Sequence, residues 1–174
     1  SMVSNGQKGK LKSLGILSEA GREHFHGSLV FPIADEAGNT VGLYGRRISD
    51  DGKLKHLYLP GRHHGVFNRK ASKAFNEIII TEAIIDALSL IAMGFENVQA
   101  CYGTGGFTDE HLEALRSDRV KTVIVAFDND EPGRKASEQL AGRLLAEGFA
   151  VKLIYPEAKD WNEDLLAGVE QEAV

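Results

Sequence analysis

Glu77-Ile78-Ile79-Ile80-Thr81-Glu82 and Thr122-Val123-Ile124-Val125-Ala126-Phe127-Asp128-Asn129-Asp130 decide how this chain folds. Each is a short run of mostly β-branched apolar residues that ends in acid. A continuous apolar run, rather than an alternating one, marks a strand buried on both faces, as in a parallel sheet. Working outward, Ala83 to Met93 places Ile84, Leu88 and Ile91 at helical spacing and stops at Gly94. Val98 to Cys101 reads as a short strand and Gly103-Thr104-Gly105-Gly106 as a loop. Thr108 caps the next helix, with Asp109 and Glu110 in its first turn, where acid complements the helix dipole. Pro132 suits the first turn of a long helix reaching about Glu147, with Gly148 beyond it. Ala150 to Tyr155 is a last strand and Trp161 to Leu166 a last helix. The β-α-β-α-β-α-β-α order predicts an open, mostly parallel α/β sheet with helices on its faces.

Upstream the pattern is different. Leu29-Val30-Phe31-Pro32-Ile33 reads as a strand, with Pro32 pointing to an edge. Asp35 to Asn39 makes a turn, Val41 to Arg47 a second strand, and Lys55 to Leu59 a third. This small β-rich region carries Arg46, Arg47, Lys53, Lys55, Arg62, Arg69, Lys70 and Lys73, with His56, His63 and His64. Those histidines are too irregularly spaced for a metal site and read as surface or phosphate-facing groups. Ser1 to Lys12 is polar and predicts a flexible leader, and Leu14 to His26 has room for a short helix. The expected domains are a leader and short helical segment over 1–27, the basic β-rich subdomain over 28–74, and the α/β domain over 75–174.

The 174 residues are 43% hydrophobic, which excludes a disordered chain, and the net charge is −5. That balance argues against nucleic-acid binding through bulk charge, but not against a local basic strip or a metal that reverses the sign of an acidic site. No apolar run reaches the roughly 18 residues needed to span a bilayer. The single cysteine, Cys101, forms no internal disulfide and fits a cytoplasmic protein; a packed thiol is the better reading than a nucleophile.

Ligands of open α/β sheets collect at the carboxyl ends of the strands. Glu82 falls just past the first buried strand, and Asp128 and Asp130 just past the second. Asp86 follows Glu82 by one helical turn, and Asp160 follows the last strand. Several carboxylates at one edge repel unless a cation compensates, and hard divalent ions bind through one or two carboxylates plus substrate phosphates. Glu82, Asp86, Asp128, Asp130 and Asp160 are therefore candidate metal ligands, with Glu82, Asp128 and Asp130 the catalytic trio. Taken singly, Asp128 or Asp130 reads equally well as a helix cap. The Gly103–Gly106 loop is open to two readings: a tight turn, or backbone amides close to a phosphate. The basic hairpin is likewise either a solvated surface or a grip on a phosphate backbone.

These residues resemble the TOPRIM family, the catalytic domain shared by primases and topoisomerases. The family's first motif, a strand ending in Glu, is matched by Ile78-Ile79-Ile80-Thr81-Glu82; its second, a strand ending in Asp-x-Asp with a nearby Gly, by Ala126-Phe127-Asp128-Asn129-Asp130-Glu131-Pro132-Gly133-Arg134. Tyr102-Gly103-Thr104 sits where the family has its intervening glycine. Within the family the chain is most similar to the DnaG-type and phage-type DNA primases. Glu82 with Asp86, the phrase Asp128-x-Asp130-x-x-Gly133-x-x-Ala136, and Lys159-Asp160-x-Asn162-Glu163 carry that likeness. So do Phe31-Pro32-Ile33, Gly38, Gly45-Arg46, Lys55 and Tyr58-Leu59-Pro60 upstream.

The resemblance implies a TOPRIM (Rossmann-like) sheet and a catalytic-core fragment of a primase. Such an enzyme makes RNA primers on single-stranded DNA from NTPs by nucleotidyl transfer with Mg2+ or Mn2+. It further implies Arg46, Arg47, Lys55, Gly103 and Thr104 as nucleic-acid or NTP contacts, and a replicative helicase as partner through regions outside this sequence. Alternatives within the same fold are a phosphodiester-cleaving TOPRIM nuclease and a non-catalytic nucleic-acid-binding or recombination module.

Overall fold

The computed structural model describes residues 4–49 and 55–168, so Lys53 lies outside the described residues. Two sheets form. The first is antiparallel, in the order β1 (Ser28–Ala34), β2 (Thr40–Arg47), β3 (His56–Tyr58). Pro32 sits on the edge strand β1, where a missing N–H costs no ladder bond. The hairpin turns through Gly38 at φ +87°, and Asp35 accepts from the Asn39 backbone N–H at 2.8 Å.

The second sheet is wholly parallel, in the order β5 (Val98–Ala100), β4 (Glu77–Thr81), β6 (Thr122–Ala126), β7 (Ala150–Leu153). The helices α3 (Ile84–Ala92), α4 (Asp109–Ser117), α5 (Glu131–Ala146) and α6 (Trp161–Ala167) complete the expected alternation, and a short helix that was not expected, α2 (Lys70–Ala74), precedes β4. Both faces are covered, as the continuous apolar runs require. Ile78, Ile80, Val123 and Val125 pack with Leu112 and Leu115 of α4 and Leu140 and Leu144 of α5. Ile79, Ile124 and Ala126 pack on the other face with Ile84 and Leu90 of α3, Trp161 of α6, and Ile33 and Tyr44 of the first sheet. Burying each Ile contributes about 1.5–3 kcal/mol. Residues 66 and 67 join the sheets: Val66 bridges to Ala34, and Phe67 to Ala100.

The amino-terminal segment departs from expectation. Asn5–Ser13 is a helix, α1, and not a flexible leader. Ser4 and Gln7 form a reciprocal capping box at its start, and Lys10 and Lys12 complement the dipole at its end. The short helix expected within Leu14 to His26 does not form; that stretch is turns with a Leu17–Glu23 bridge, tied to β3 where the His24 ring meets the Tyr58 carbonyl at 2.8 Å. It lacks a helical apolar face, and Gly15, Gly21 and Gly27 all take positive φ. The last strand also ends early, at Leu153, because the chain turns at Pro156 into the loop that leads to Asp160.

Candidate active site

Chain order explains where the site lies. From β4 the chain crosses to β5 at one edge, then returns to β6 on the other side of β4. The connections therefore diverge at the carboxyl ends of β4 and β6, the switch point where ligands settle in open α/β sheets. Glu82 follows β4, and Asp128 lies two residues beyond the end of β6. Asp86 sits in the first turn of α3, and Asp160 is the N-cap of α6. Glu82, Asp86, Asp128 and Asp160 line one cleft of about 290 Å³ together with Arg46, His56, Tyr58, Tyr102, Gly103 and Asn162.

Local chemistry holds these groups in place. Trp161 is buried and its Nε1–H donates to the Ala126 carbonyl at 2.8 Å, docking α6 on the end of β6. Asn129, between the two aspartates, ties three pieces together: its backbone N–H donates to the Lys159 carbonyl at 2.8 Å, its Nδ2 donates to the Pro156 carbonyl at 2.9 Å, and its Oδ1 accepts from Arg134 Nε at 2.9 Å. Asp164 is fully buried and accepts from the Glu157 and Ala158 backbone N–H groups at 2.9 and 2.7 Å, fixing the loop before Asp160. Gly133 is demanded by close approach. A Cβ there would lie 2.4 Å from the Asp128 carbonyl oxygen.

The carboxylates divide into two kinds. Asp130 accepts from the Gly133 N–H at 2.9 Å and caps α5; Asp160 accepts from the Glu163 N–H at 2.8 Å and caps α6. In contrast, Glu82 Oε2, Asp86 Oδ1 and Asp128 Oδ1 are buried and have no hydrogen-bond partner. Their electrostatics follow from that. Burial, then Asp128 and Asp130, push the Glu82 carboxyl up to about 7. Burial, then Asp128, Asp160 and Glu82, push Asp86 up to about 8. Burial, then Asp160 and Asp130, push Asp128 up to about 6. Buried carboxylate oxygens without donors are the environment a hard cation satisfies. Among the described residues, no three His, Cys, Asp or Glu side chains close into a preformed cage. This donor set fits an ion held by one or two carboxylates that completes its shell with water and phosphate oxygens, as Mg2+ does, and not an all-protein site.

Of the predicted contacts, Arg46 and Gly103 line the cleft. Asp130, Arg47, Lys55 and Thr104 are not among its lining residues. Arg47 neighbours Arg46 on β2, so strand alternation sends it to the opposite face, whereas Lys55 and Thr104 are exposed. Asp130 reaches the cleft through its charge, which acts on Glu82 and Asp128. The Gly103 loop is a tight turn: Gly103 has φ +95°, and its N–H donates to the Glu82 carbonyl at 2.9 Å. Cys101 is fully buried in the core, and burial drives its thiol far above the ordinary range. Sequence reasoning gave no site role to Tyr58, Tyr102 and Asn162, which line the cleft, or to Tyr44, which packs behind it against Tyr58. Tyr44 was within reach, since residues 44 and 46 share one face of β2.

A family model described as Toprim-like matches residues 79–165. A DNA primase of Deinococcus radiodurans is 31% identical over 176 residues, covering 91% of this chain and 30% of that protein. The crystal structure of a DNA primase domain from Pseudomonas aeruginosa superposes with a TM-score of 0.76 at 27% identity, covering 94% of this chain and 56% of that one. A DnaG primase catalytic domain bound to single-stranded DNA shares the fold at a TM-score of 0.76 and 23% identity, covering 97% of this chain and 58% of its own. The chain thus spans under a third of the Deinococcus primase and little more than half of these solved structures. With Glu82, Asp128, Asp130 and Gly133 all inside that match and a parallel sheet beneath them, the chain belongs to the Toprim-like family.

Proposed function

We propose that this chain is the catalytic-core portion of a DNA primase, which joins ribonucleotides into short RNA on a single-stranded DNA template with Mg2+ or Mn2+. The observation that carries the reading is the convergence of three donor-less buried oxygens, on Glu82, Asp86 and Asp128, in one cleft that also holds the Arg46 guanidinium. The primase relatives and neighbours support it.

Asp86 and Asp128 would hold the metal, with Asp130 and Asp160 adding negative charge around them. When bound, the ion neutralises phosphate oxygens and lowers the proton affinity of a bound hydroxyl. Arg46 binds the triphosphate from the facing sheet. Glu82 would serve as the general base, its Oε2 taking the proton of the attacking 3′-hydroxyl as that hydroxyl oxygen bonds to the α-phosphorus and pyrophosphate leaves. Lys55 and Arg47 lie on the same basic subdomain and would contact the nucleic-acid backbone beyond the cleft. A replicative helicase would act with the longer protein, in the cytoplasm.

The test is incubation with single-stranded DNA, NTPs and Mg2+ or Mn2+. Short RNA products that disappear in Asp128→Ala are expected. Cleaved DNA in place of RNA would assign a nuclease, and DNA binding with neither product would assign a non-catalytic module. Full metal-dependent activity in Asp128→Ala would refute the site.

A further inference from the structure

Arg46 is the one arginine on the cleft wall among the described residues, and it stands in a chain of hydrogen bonds. Its Nη1 lies 2.6 Å from His56 Nε2, and His56 Nδ1 lies 3.0 Å from the Tyr44 hydroxyl. Arginine has only donors, so Nε2 must accept. The imidazole proton then sits on Nδ1 and is donated to Tyr44. Tyr44 is fully buried, stacked on Phe31 with ring centroids 6.2 Å apart and tilted against Tyr58 at 5.3 Å. The post is therefore rigid. Antiparallel register makes the link direct, because Arg46 and His56 are cross-strand partners and Tyr44 pairs with Tyr58 two residues away.

An arginine that lines the same cleft as Asp86 and Asp160 needs such a tether. Its long side chain has many rotamers open to it. An untethered guanidinium would fold onto the neighbouring carboxylates and neutralise the acids that the metal requires. Held by His56, it keeps its remaining donors for a ligand.

We propose that His56 is a positioning residue, whose imidazole, braced by Tyr44, fixes the Arg46 guanidinium on the cleft wall to receive the phosphates of a nucleotide. The phosphate half of this statement rests on the function proposed above; the tether does not. Burial and the Arg46 charge both lower the proton affinity of His56, which keeps its Nε2 free to accept.

Two measurements test it. Long-range 1H–15N spectra of the free protein at pH 7.5 should show His56 as the Nδ1–H tautomer, shifting toward Nε2–H in Arg46→Ala; an Nε2–H tautomer in the wild-type protein would overturn the tether. Calorimetric titration with Mn2+–ATP should show His56→Phe and Arg46→Ala each weakening binding about tenfold, as loss of one charge-assisted contact does. The double variant should bind no worse than Arg46→Ala, and His56→Gln, whose Oε1 can accept, should recover most of the affinity. Losses that multiply in the double variant, or wild-type binding in His56→Phe, would overturn the proposal. Absence of any Mn2+–ATP binding by the wild-type protein would count against the primase reading alone, and the tautomer would still decide the tether.

Discussion

Replacing Asp86 by Asn tests whether the site is electrostatically strained in the absence of metal. Asp86 is 3% exposed, with one oxygen that has no donor, and its carboxyl is pushed from 3.8 up to about 8. Burial is the first cause, and the charges of Asp128, Asp160 and Glu82 follow. In the unfolded chain the group ionises near 4, so between about 4 and 8 the folded state binds more protons than the unfolded one. Stability is then fully present in acid and is lost as pH rises through about 8. At about 1.4 kcal/mol per pH unit, the ceiling on that loss at pH 8 is 5–6 kcal/mol. Three carboxyls share the protons, which divides the cost and leaves on the order of 2–3 kcal/mol to Asp86. The isosteric amide removes the charge without opening a cavity. In EDTA at pH 8, Asp86→Asn should therefore melt roughly 5–10 °C above the wild type, at about 2–4 °C per kcal/mol for a chain of this size. At pH 5 the gap should narrow, since the wild-type carboxyl is then protonated. Millimolar Mg2+ at pH 8 should raise the wild-type Tm more than the variant's, because binding to the native state alone stabilises it. A variant that melts below the wild type at pH 8 in EDTA would show that the ionised carboxylate is favourably held, and would refute the reasoning.

Three further outcomes follow from the geometry. Gly133→Ala places a Cβ 2.4 Å from the Asp128 carbonyl oxygen, so the start of α5 must shift; thermal melts should show a loss on the order of 2–3 kcal/mol, and Mg2+ should stabilise the variant less than the wild type. Asp130→Ala removes the cap on Gly133 and should destabilise the metal-free protein by about 1 kcal/mol, opposite in sign to Asp86→Asn. Native Cys101 should resist an aromatic disulfide reagent at pH 8 and react only on unfolding, since it is fully buried with its thiol ionisation suppressed; reaction within minutes under native conditions would contradict the packed core.

The α/β domain was legible because its signals are local and redundant. Ile78 to Ile80 and Val123 to Val125 are apolar at every position, which only a doubly covered strand tolerates, and the structure splits them alternately between two cores. Glycines and capping residues mark both ends of α5, the end of α3 and the start of α4, so those boundaries hold to within a residue or two. The amino-terminal region lacked such redundancy. In α1 the capping box at Ser4 and Gln7 was present, but with no apolar stripe beside it the polar run read as a leader. The acidic half of the site was legible because strand ends in a parallel sheet converge wherever the helices go. The cation half was legible only in part: Arg46 was among the predicted contacts, but so was Arg47. Arg46 and Arg47 are adjacent and chemically identical, and strand parity alone cannot say which face of a separate sheet meets the cleft. That depends on the join at Val66 and Phe67, a long-range contact without a motif.

Reading the aspartates as caps and reading them as metal ligands looked like rivals, and the structure distributes the two roles. Asp130 and Asp160 each spend one oxygen on a backbone N–H at a helix N-terminus. Their orientation is thereby fixed. Glu82, Asp86 and Asp128 have oxygens without such a donor, and burial first, then neighbouring carboxylates, raise their proton affinity. The caps thus raise the proton affinity of the uncapped acids: Asp130 acts on Glu82 and Asp128, and Asp160 on Asp86 and Asp128. The uncapped set is more costly to ionise without a cation and more responsive to one that arrives with its phosphates. An acidic chain can in this way serve a polyanionic substrate. Its negative charge is gathered where a divalent ion would invert it, and the tethered Arg46 stands on the facing wall.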